Sequence, residues 1–229
     1  MCNTNSLEEC INMYHLDAQA SIIVQRGSFK VPENNHLRFT QINDLIFGHN
    51  AEINLSRRDL FRLQNIMVTR LRVGNDDVQA LDRFILSVLY WGFPNNRHGK
   101  YNDIYERFGD IEAFMQSVFS CIVVDEHITR QRLLDLLSMI RRHNLGVSAY
   151  SKLLYFSGFN VEGNTCLILD SFVVKGIVKL NNLHDHFINE LATCTHSYIR
   201  YLQEMRNLAE ILHVNPDEIE YALWLKGRE

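Results

Sequence analysis

Apolar residues recur at helical spacing along most of this 229-residue chain. Positions three and four apart lie on one face of an α-helix, so each such segment predicts an amphipathic helix with one buried face. The 3 prolines and 11 glycines are too few for a turn-rich all-β fold. We therefore predict a mainly α fold of about nine helices. The clearest segments contain Leu81, Phe84, Ile85, Val88 and Leu89, then Leu133, Leu136, Leu137 and Ile140, then Tyr198, Tyr201, Leu202, Met205 and Leu208.

The length of the chain allows one sizeable core or two small helical lobes that share a cleft. Residues 1–55 hold mixed patterns, and we expect an irregular N-terminal segment that packs on the rest of the chain. Residues 56–229 form the predicted helical domain, which begins where Ser56 can cap a helix. Further predicted helix starts have capping residues at Asp76 or Asp77, Thr129 and Asn215.

Five cysteines, an odd number without a C-x-x-C pair, argue against a disulfide framework or a zinc site. Free thiols fit a reducing compartment. The sequence has no apolar run of membrane-spanning length, and its N-terminus lacks a signal-peptide pattern. We therefore expect a cytoplasmic protein without a membrane partner, a metal site or a cofactor.

The formal net charge of −4 does not indicate a nucleic-acid partner, but two segments are locally basic. Each segment is either a solvated helix face or a patch that contacts phosphate groups. Residues 56–72 contain one acidic residue, Asp59, and five basic ones, which are Arg57, Arg58, Arg62, Arg70 and Arg72. Residues 130–152 contain one acidic residue, Asp135, and five basic ones, which are Arg130, Arg132, Arg141, Arg142 and Lys152.

The stretch from Gly146 to Asp170 carries the strongest chemical signal. Lys152 lies in an otherwise apolar helical run, and burial of that face would desolvate its amine. Desolvation disfavours the charged ammonium, which is how an amine becomes a nucleophile. Asp170 stands at a predicted helix start, where N–H groups and the helix dipole favour a carboxylate. Together they would form a nucleophile–carboxylate pair; the alternatives are a surface lysine and a plain helix cap.

The order of these elements resembles the active-site region of the helix-hairpin-helix DNA glycosylase superfamily. That region contains a helix, a turn (here at residues 144–146), a lysine-bearing helix, a short loop and an aspartate at a helix start. The branch most similar is the 8-oxoguanine glycosylases, with bacterial proteins of that fold. Residues 91–94 and 220–224 are similar to motifs of the bacterial members. The resemblance covers residues 56–229 and implies a helix-hairpin-helix glycosylase-like fold with two helical lobes around a cleft.

The resemblance implies base excision, in which the target nucleotide is flipped out of the stack. Lys152 would attack C1′ of the sugar and displace the base. Asp170 would stabilise the positive charge that develops on the sugar and take part in transfer of the lysine proton. A resulting Schiff base would allow strand cleavage by β-elimination. The implied activity is thus an N-glycosylase, with or without AP-lyase activity, that excises a purine-type base such as 8-oxoguanine from DNA.

The turn before the lysine-bearing helix would hold a DNA phosphate through backbone N–H groups. The predicted phosphate-binding residues are Gly146, Ser148, Arg141 and Arg142. Aromatic side chains could form a wall on which a base stacks, although most of them fit equally well in a helical core. The predicted base pocket consists of Trp91, Phe93, Phe172, Tyr221 and Trp224.

Two other functions stay open. Bacterial proteins that resemble this chain also occur in antiviral-defence operons. This resemblance implies a nucleotide or modified purine as the substrate, and partner proteins encoded in the same operon. The third hypothesis is a non-catalytic nucleic-acid-binding module, in which Lys152→Ala would leave binding intact. Salt-dependent affinity for duplex DNA separates a DNA substrate from a free nucleotide, because phosphate contacts release counterions.

Overall fold

A computed structural model describes residues 21–26, 36–74, 77–93, 105–125, 127–141, 145–181 and 195–229. This part of the chain is mainly helical, which confirms the predicted fold class. Its helices are α1 (His36–Phe47), α2 (Arg57–Arg72), α3 (Val78–Gly92), α4 (Phe108–Val123), α5 (Arg130–Arg141), α6 (Val147–Ser157), α7 (Ser171–Asn181), α8 (Thr195–Leu212) and α9 (Pro216–Arg228). Its strands are β1 (Ser21–Gln25), β2 (Glu52–Ser56), β3 (Asn160–Val161) and β4 (Asn164–Thr165). None of the described helices is both long enough and apolar enough to cross a membrane.

The chain divides into two compact units. The N-terminal unit comprises residues 19–126 and 138–144, and the C-terminal unit comprises residues 1–18, 127–137 and 145–229. Before residue 56 the described residues contain β1, α1 and β2. The predicted domain boundary between residues 55 and 56 stays a prediction.

In the N-terminal unit, β1 and β2 pair antiparallel, with Ser21 opposite Ser56. Ser56 ends β2 and caps α2, because its hydroxyl accepts the N–H of Asp59 at 3.2 Å. The Asp59 carboxylate accepts the Ser56 N–H in return, at 2.9 Å. This reciprocal pair is a capping box, which satisfies two donors at the helix start. Helix α3 packs against α1, α2 and α4, and its residues 84–90 are all buried.

An ion pair with a buried carboxylate joins α1 to α3 in the same unit. The Asp82 side chain is 2% exposed, and Arg38 donates to its two oxygens at 2.8 and 2.7 Å. Arg38 also donates to Glu112 of α4, at 2.9 Å. The hydrogen bond to Asp82 is the main reason that the pKa of Arg38 is raised. Burial raises the pKa of the Asp82 carboxyl, and Arg38 acts against that rise.

In the C-terminal unit, helix α6 forms the centre of the core, with residues 149–157 all buried. Gly158 ends α6 with a left-handed φ of 74°, a conformation that glycine adopts without strain. The β3–β4 hairpin follows, and an extended segment, residues 166–170, then leads into α7. The apolar run that contains Lys152 is thus a buried helix, and residues 166–169 form a second buried run.

Helices α7 and α9 cross at two glycines. A Cβ atom on Gly176 would lie 1.9 Å from the carbonyl oxygen of Leu223. A Cβ atom on Gly227 would lie 1.8 Å from the carbonyl oxygen of Phe172. The two backbones therefore touch directly, and no larger residue fits at either position. This crossing fixes α9 against α7, the helix that Asp170 precedes.

Candidate active site

Lys152 and Asp170 meet in the C-terminal unit. The Lys152 Nζ atom lies 3.3 Å from Asp170 Oδ2. The lysine residue is 3% exposed on α6, and the Asp170 side chain is 15% exposed. The apolar neighbours of Lys152 in sequence, Leu153 and Leu154, are completely buried. The amine is therefore desolvated beside a carboxylate that still reaches solvent.

Ser148 supplies two more acceptors to the same amine. The Lys152 Nζ atom donates to the Ser148 hydroxyl at 3.0 Å and to the Ser148 carbonyl at 3.2 Å. One helical turn separates the two residues, so α6 itself provides this geometry. With Asp170, these groups give three acceptors, which matches the three N–H donors of an ammonium.

Asp170 caps α7, as its position in the sequence predicts. Its Oδ1 atom accepts the N–H groups of Phe172 and Val173 at 3.0 and 3.1 Å. The other oxygen, Oδ2, accepts from Lys152. The carboxylate thus divides its two oxygens between the helix start and the amine.

The extended segment before Asp170 is held by side chains from two helices. The N–H of Leu169 donates to the Ser151 hydroxyl of α6 at 3.0 Å. From α8, the Tyr198 hydroxyl donates to the Leu167 carbonyl at 2.8 Å, and the Tyr201 hydroxyl donates to the Ile168 carbonyl at 2.9 Å. We call Ser151, Tyr198 and Tyr201 the segment clamp. Because it satisfies buried backbone groups one to three residues before Asp170, it fixes where the carboxylate stands.

The segment clamp is absent from the sequence-based prediction. Ser151 directly precedes Lys152, and a serine inside an apolar helix is a signal that could have been used. Tyr198 and Tyr201 lie three apart on one face of α8, and each hydroxyl needs a partner when buried. Neither signal identifies the backbone group that is bound.

Cys166 begins the extended segment and is completely buried. Burial raises the pKa of its thiol to about 12, against a lowering contribution from a hydrogen bond with Tyr198. The thiol therefore stays protonated near neutral pH, and thiolate is the form that attacks. Cys166 is therefore a buried, unreactive residue, and Lys152 is the candidate nucleophile beside Asp170.

Three of the predicted base-pocket residues form an aromatic group on α7 and α9. The Tyr221 and Trp224 rings stack with centroids 5.6 Å apart, and Phe172 meets Trp224 edge-on at 6.4 Å. Phe172 is 38% exposed and lies two residues from Asp170. Two cations flank the group, with Lys175 5.4 Å from the Phe172 ring and Arg228 4.7 Å from the Trp224 ring.

The other two predicted pocket residues, Trp91 and Phe93, belong to the N-terminal unit. Trp91 lies in the last turn of α3, with the Arg57 guanidinium 5.7 Å from its ring. Phe93 follows the end of α3, and its N–H donates to the Tyr90 carbonyl at 3.3 Å. Their contribution to a base pocket stays a prediction.

The predicted phosphate-binding residues have different outcomes. Gly146 precedes α6 as its N-cap, with the ordinary backbone angles of φ −71° and ψ 162°. Ser148 is engaged with Lys152. Arg141 is the last residue of α5 and is described only in its backbone, and Arg142 lies outside the described residues. Phosphate binding at this turn stays a prediction.

A separate cavity of about 510 Å³ opens elsewhere in the C-terminal unit. It lies between the β3–β4 hairpin, α8 and the start of α9, and neither Lys152 nor Asp170 lines it. Arg206 and Glu210 on its wall form an exposed ion pair at 3.0 Å. The cavity therefore does not contribute to the chemistry of the lysine–aspartate pair.

A mainly helical chain with a buried lysine, a capping aspartate and neighbouring aromatic rings has the features of a helical DNA glycosylase. A protein-family model described as "Putative 8-oxoguanine DNA glycosylase OGG-like protein" matches residues 27–224, and the chain belongs to this family. Its function is therefore of the DNA glycosylase type. No curated protein and no solved structure matches the chain.

Proposed function

We propose that the chain is a lysine-dependent N-glycosylase that removes a purine-type base such as 8-oxoguanine from DNA. The contact between Lys152 Nζ and Asp170 Oδ2, at 3.3 Å, carries the proposal. Burial disfavours a charged amine, and a carboxylate at contact distance can accept its proton. Family membership supports a DNA substrate, and the aromatic group on α7 and α9 supports a base that stacks.

In the proposed reaction, the neutral Lys152 amine attacks C1′ of a flipped nucleotide. The lone pair of Nζ forms the bond to C1′, the N-glycosidic bond breaks, and its electron pair leaves with the base, which takes a proton from solvent. The attached nitrogen then gives its own extra proton to Asp170. The negative charge on Oδ2 also stabilises the positive charge that develops on the sugar.

Ser148 positions the nucleophile in this proposal. The ammonium form of Lys152 has three N–H donors, and it donates to two atoms of Ser148 and to Asp170. When the ammonium first gives up one proton to solvent, the two bonds to Ser148 still direct the neutral amine, and the Asp170 carboxylate is left to accept the proton that the attached nitrogen releases after the attack. Ser148 is therefore a positioning residue, and Ser148→Ala should lower the rate of adduct formation while Lys152 still reacts.

The proposed lyase activity follows from the same adduct. Opening of the sugar ring converts the bond between Nζ and C1′ into a Schiff base, which makes the C2′ proton acidic. A proton acceptor removes that proton, the bond between C3′ and the 3′-phosphate oxygen breaks, and the phosphate leaves with the electron pair. This elimination cleaves the strand. Hydrolysis of the Schiff base then releases Lys152.

Borohydride trapping tests the proposal. Sodium borohydride reduces the Schiff base to a stable amine, so wild-type protein should form a covalent adduct with a duplex that contains 8-oxoguanine. Lys152→Ala should abolish the adduct, and Asp170→Asn should slow its formation by about 10²- to 10³-fold. Lys179→Ala removes an exposed lysine from α7 and serves as the control. An adduct that persists in Lys152→Ala, or no Lys152-dependent adduct with any lesion, would contradict the proposal.

A free nucleotide is the second candidate substrate. The cations Lys175 and Arg228 beside the aromatic group favour it, because they could bind a phosphate while a base stacks. The net charge of −4 also favours a small ligand over a long polyanion. Release of free base from purine nucleotides, with weak and salt-insensitive duplex binding, would select this substrate. Partner proteins encoded in a defence operon belong to this alternative and stay a prediction.

A further inference from the structure

Helix α2 in the N-terminal unit presents a narrow basic face to solvent. At 3.6 residues per turn, five of its residues fall within an arc of about 80°. All five are exposed, and they are Arg58, Arg62, Asn65, Thr69 and Arg72. The opposite side of the helix is apolar, and Leu60 and Met67 are buried there. The basic face is therefore a surface feature that packing does not require.

Helix α2 is positively charged, whereas the chain as a whole is negatively charged. The helix contains five arginines and one aspartate, a formal charge of +4, whereas the chain carries −4. The aspartate, Asp59, is committed to the capping box with Ser56, which is the main cause of its lowered pKa; Arg62 and Arg58 lower it further. Among the described ion pairs, none joins Arg58, Arg62 or Arg72 to an acid.

The remaining two arginines of α2 are engaged within the fold. Arg70 forms an ion pair with Asp77, the cap of α3. Arg57 is buried, with its guanidinium over the Trp91 ring. Arg57 and Arg70 of this helix therefore stabilise the fold. The other three arginines are exposed to solvent and have no described acidic partner.

We propose that Arg58, Arg62 and Arg72 bind the phosphate backbone of duplex DNA. At 1.5 Å per residue, the three positions span about 21 Å along the helix, a length that covers roughly six phosphates of one strand. Arginine suits phosphate because its planar guanidinium donates two parallel hydrogen bonds. Asn65 and Thr69 lie on the same face and add neutral polar groups. These contacts position a duplex without reading its sequence.

The proposal takes the DNA substrate from the proposed function, and it assigns that DNA a contact outside the lysine–aspartate site. Each arginine–phosphate contact releases condensed counterions, so the affinity falls as salt rises, with a slope of about −0.9 per phosphate. Removal of all three contacts should therefore reduce the slope by about 2.7. The effect should be the same for every duplex sequence.

Fluorescence anisotropy with an undamaged duplex, titrated between about 50 and 200 mM salt, tests the assignment. Arg58→Gln/Arg62→Gln/Arg72→Gln should weaken binding and reduce the slope by the amount given above, while the lysine replacements R58K, R62K and R72K together keep most of the slope. Arg62→Gln alone should reduce the slope by about 0.9. Its matched control is Arg206→Gln, which removes an exposed arginine of α8 and should leave the slope unchanged. Circular dichroism and thermal unfolding verify that each variant is folded.

An unchanged slope in the folded triple variant would overturn the assignment of the basic face. Equal losses in Arg62→Gln and Arg206→Gln would also overturn it, because the effect would then reflect net charge alone. Tighter, arginine-dependent binding to an RNA duplex would overturn the choice of DNA. If borohydride trapping fails but the slope still depends on α2, the basic face stands and the proposed lysine chemistry fails. If trapping succeeds with an unchanged slope, the reverse holds.

Discussion

Among the described residues, the ion pair of Arg38 with Asp82 and that of Lys152 with Asp170 each contain a nearly buried charged group, and they are built differently. In the N-terminal unit, Arg38 donates to both oxygens of Asp82 at 2.7 and 2.8 Å and to a second carboxylate, Glu112. In the C-terminal unit, Lys152 approaches one oxygen of Asp170 at 3.3 Å. The other Asp170 oxygen belongs to the start of α7.

The difference separates a pair that holds a fold from a pair that can react. A guanidinium does not lose its proton in proteins, so Arg38 stays positively charged beside Asp82. An amine can lose its proton. The Lys152 amine donates to Ser148 as well as to Asp170, and its contact with Asp170 is longer than the contacts of Arg38 with Asp82. Asp170 also keeps its position without the lysine, because the N–H groups of α7 bind it independently. The N-terminal pair therefore predicts stability, and the C-terminal pair predicts reactivity.

The largest effect on stability should come from Arg38→Met. The substitution leaves the Asp82 carboxylate buried without its cation, which costs about 3 to 5 kcal/mol in the free energy of unfolding. Lys152→Met should cost less, because Asp170 retains two backbone donors and partial exposure. Urea unfolding measures both variants. Arg206→Met, in an exposed pair, is the control and should cost about 0 to 1 kcal/mol. Equal losses for Lys152→Met and Arg38→Met would mean that both pairs are structural.

The next effect should come from Gly176→Ala, which forces α7 away from α9. The added Cβ meets the Leu223 carbonyl oxygen at 1.9 Å, and overpacking of this kind costs about 1 to 3 kcal/mol or more. The shift also moves Phe172 relative to Trp224, so adduct formation should slow. Thermal unfolding and borohydride trapping measure the two effects. Gly109→Ala in α4 is the control, because its Cβ meets nothing within 4 Å. A tolerated Gly176→Ala would show that the crossing can relax.

Ser151→Ala tests how Asp170 is positioned. Loss of the hydroxyl leaves the buried N–H of Leu169 without its acceptor, which costs about 1 to 3 kcal/mol. Because Leu169 directly precedes Asp170, the adduct should also form more slowly, with a smaller effect on duplex affinity. Ser157→Ala removes a hydroxyl that is equally buried on α6 and that donates to the Leu154 carbonyl of the preceding turn. A rate that falls equally in both variants would reduce the segment clamp to a general stabilising role.

The smallest effect should come from Gly146→Ala. The N-cap of α6 has backbone angles that alanine adopts, and a Cβ there meets nothing within 4 Å. The change in unfolding free energy should lie within about 0.5 kcal/mol of zero. Since backbone N–H groups survive the substitution, duplex affinity should also be retained. A loss of affinity without a loss of stability would show that a ligand approaches Gly146 closely.

The sequence determined the helical elements and their starts. Ser56, Asp77, Thr129 and Asn215 all cap the helices predicted for them, because capping is a local contact between a side chain and the next turn. The buried lysine on α6 and the capping aspartate of α7 were predicted for similarly local reasons. An apolar run indicates burial, and a break in it indicates a helix start.

The tertiary structure alone decided which groups meet. The contact of Lys152 with Asp170, the bond from Leu169 to Ser151 and the α7–α9 crossing join residues far apart in sequence. The same holds for the aromatic group, where Phe172 meets Trp224 from another helix. Periodicity identifies which face of each helix is buried, but it does not identify the partner of that face. The partners follow from how close the backbones can approach, and here two glycines allow contact that no local pattern reveals.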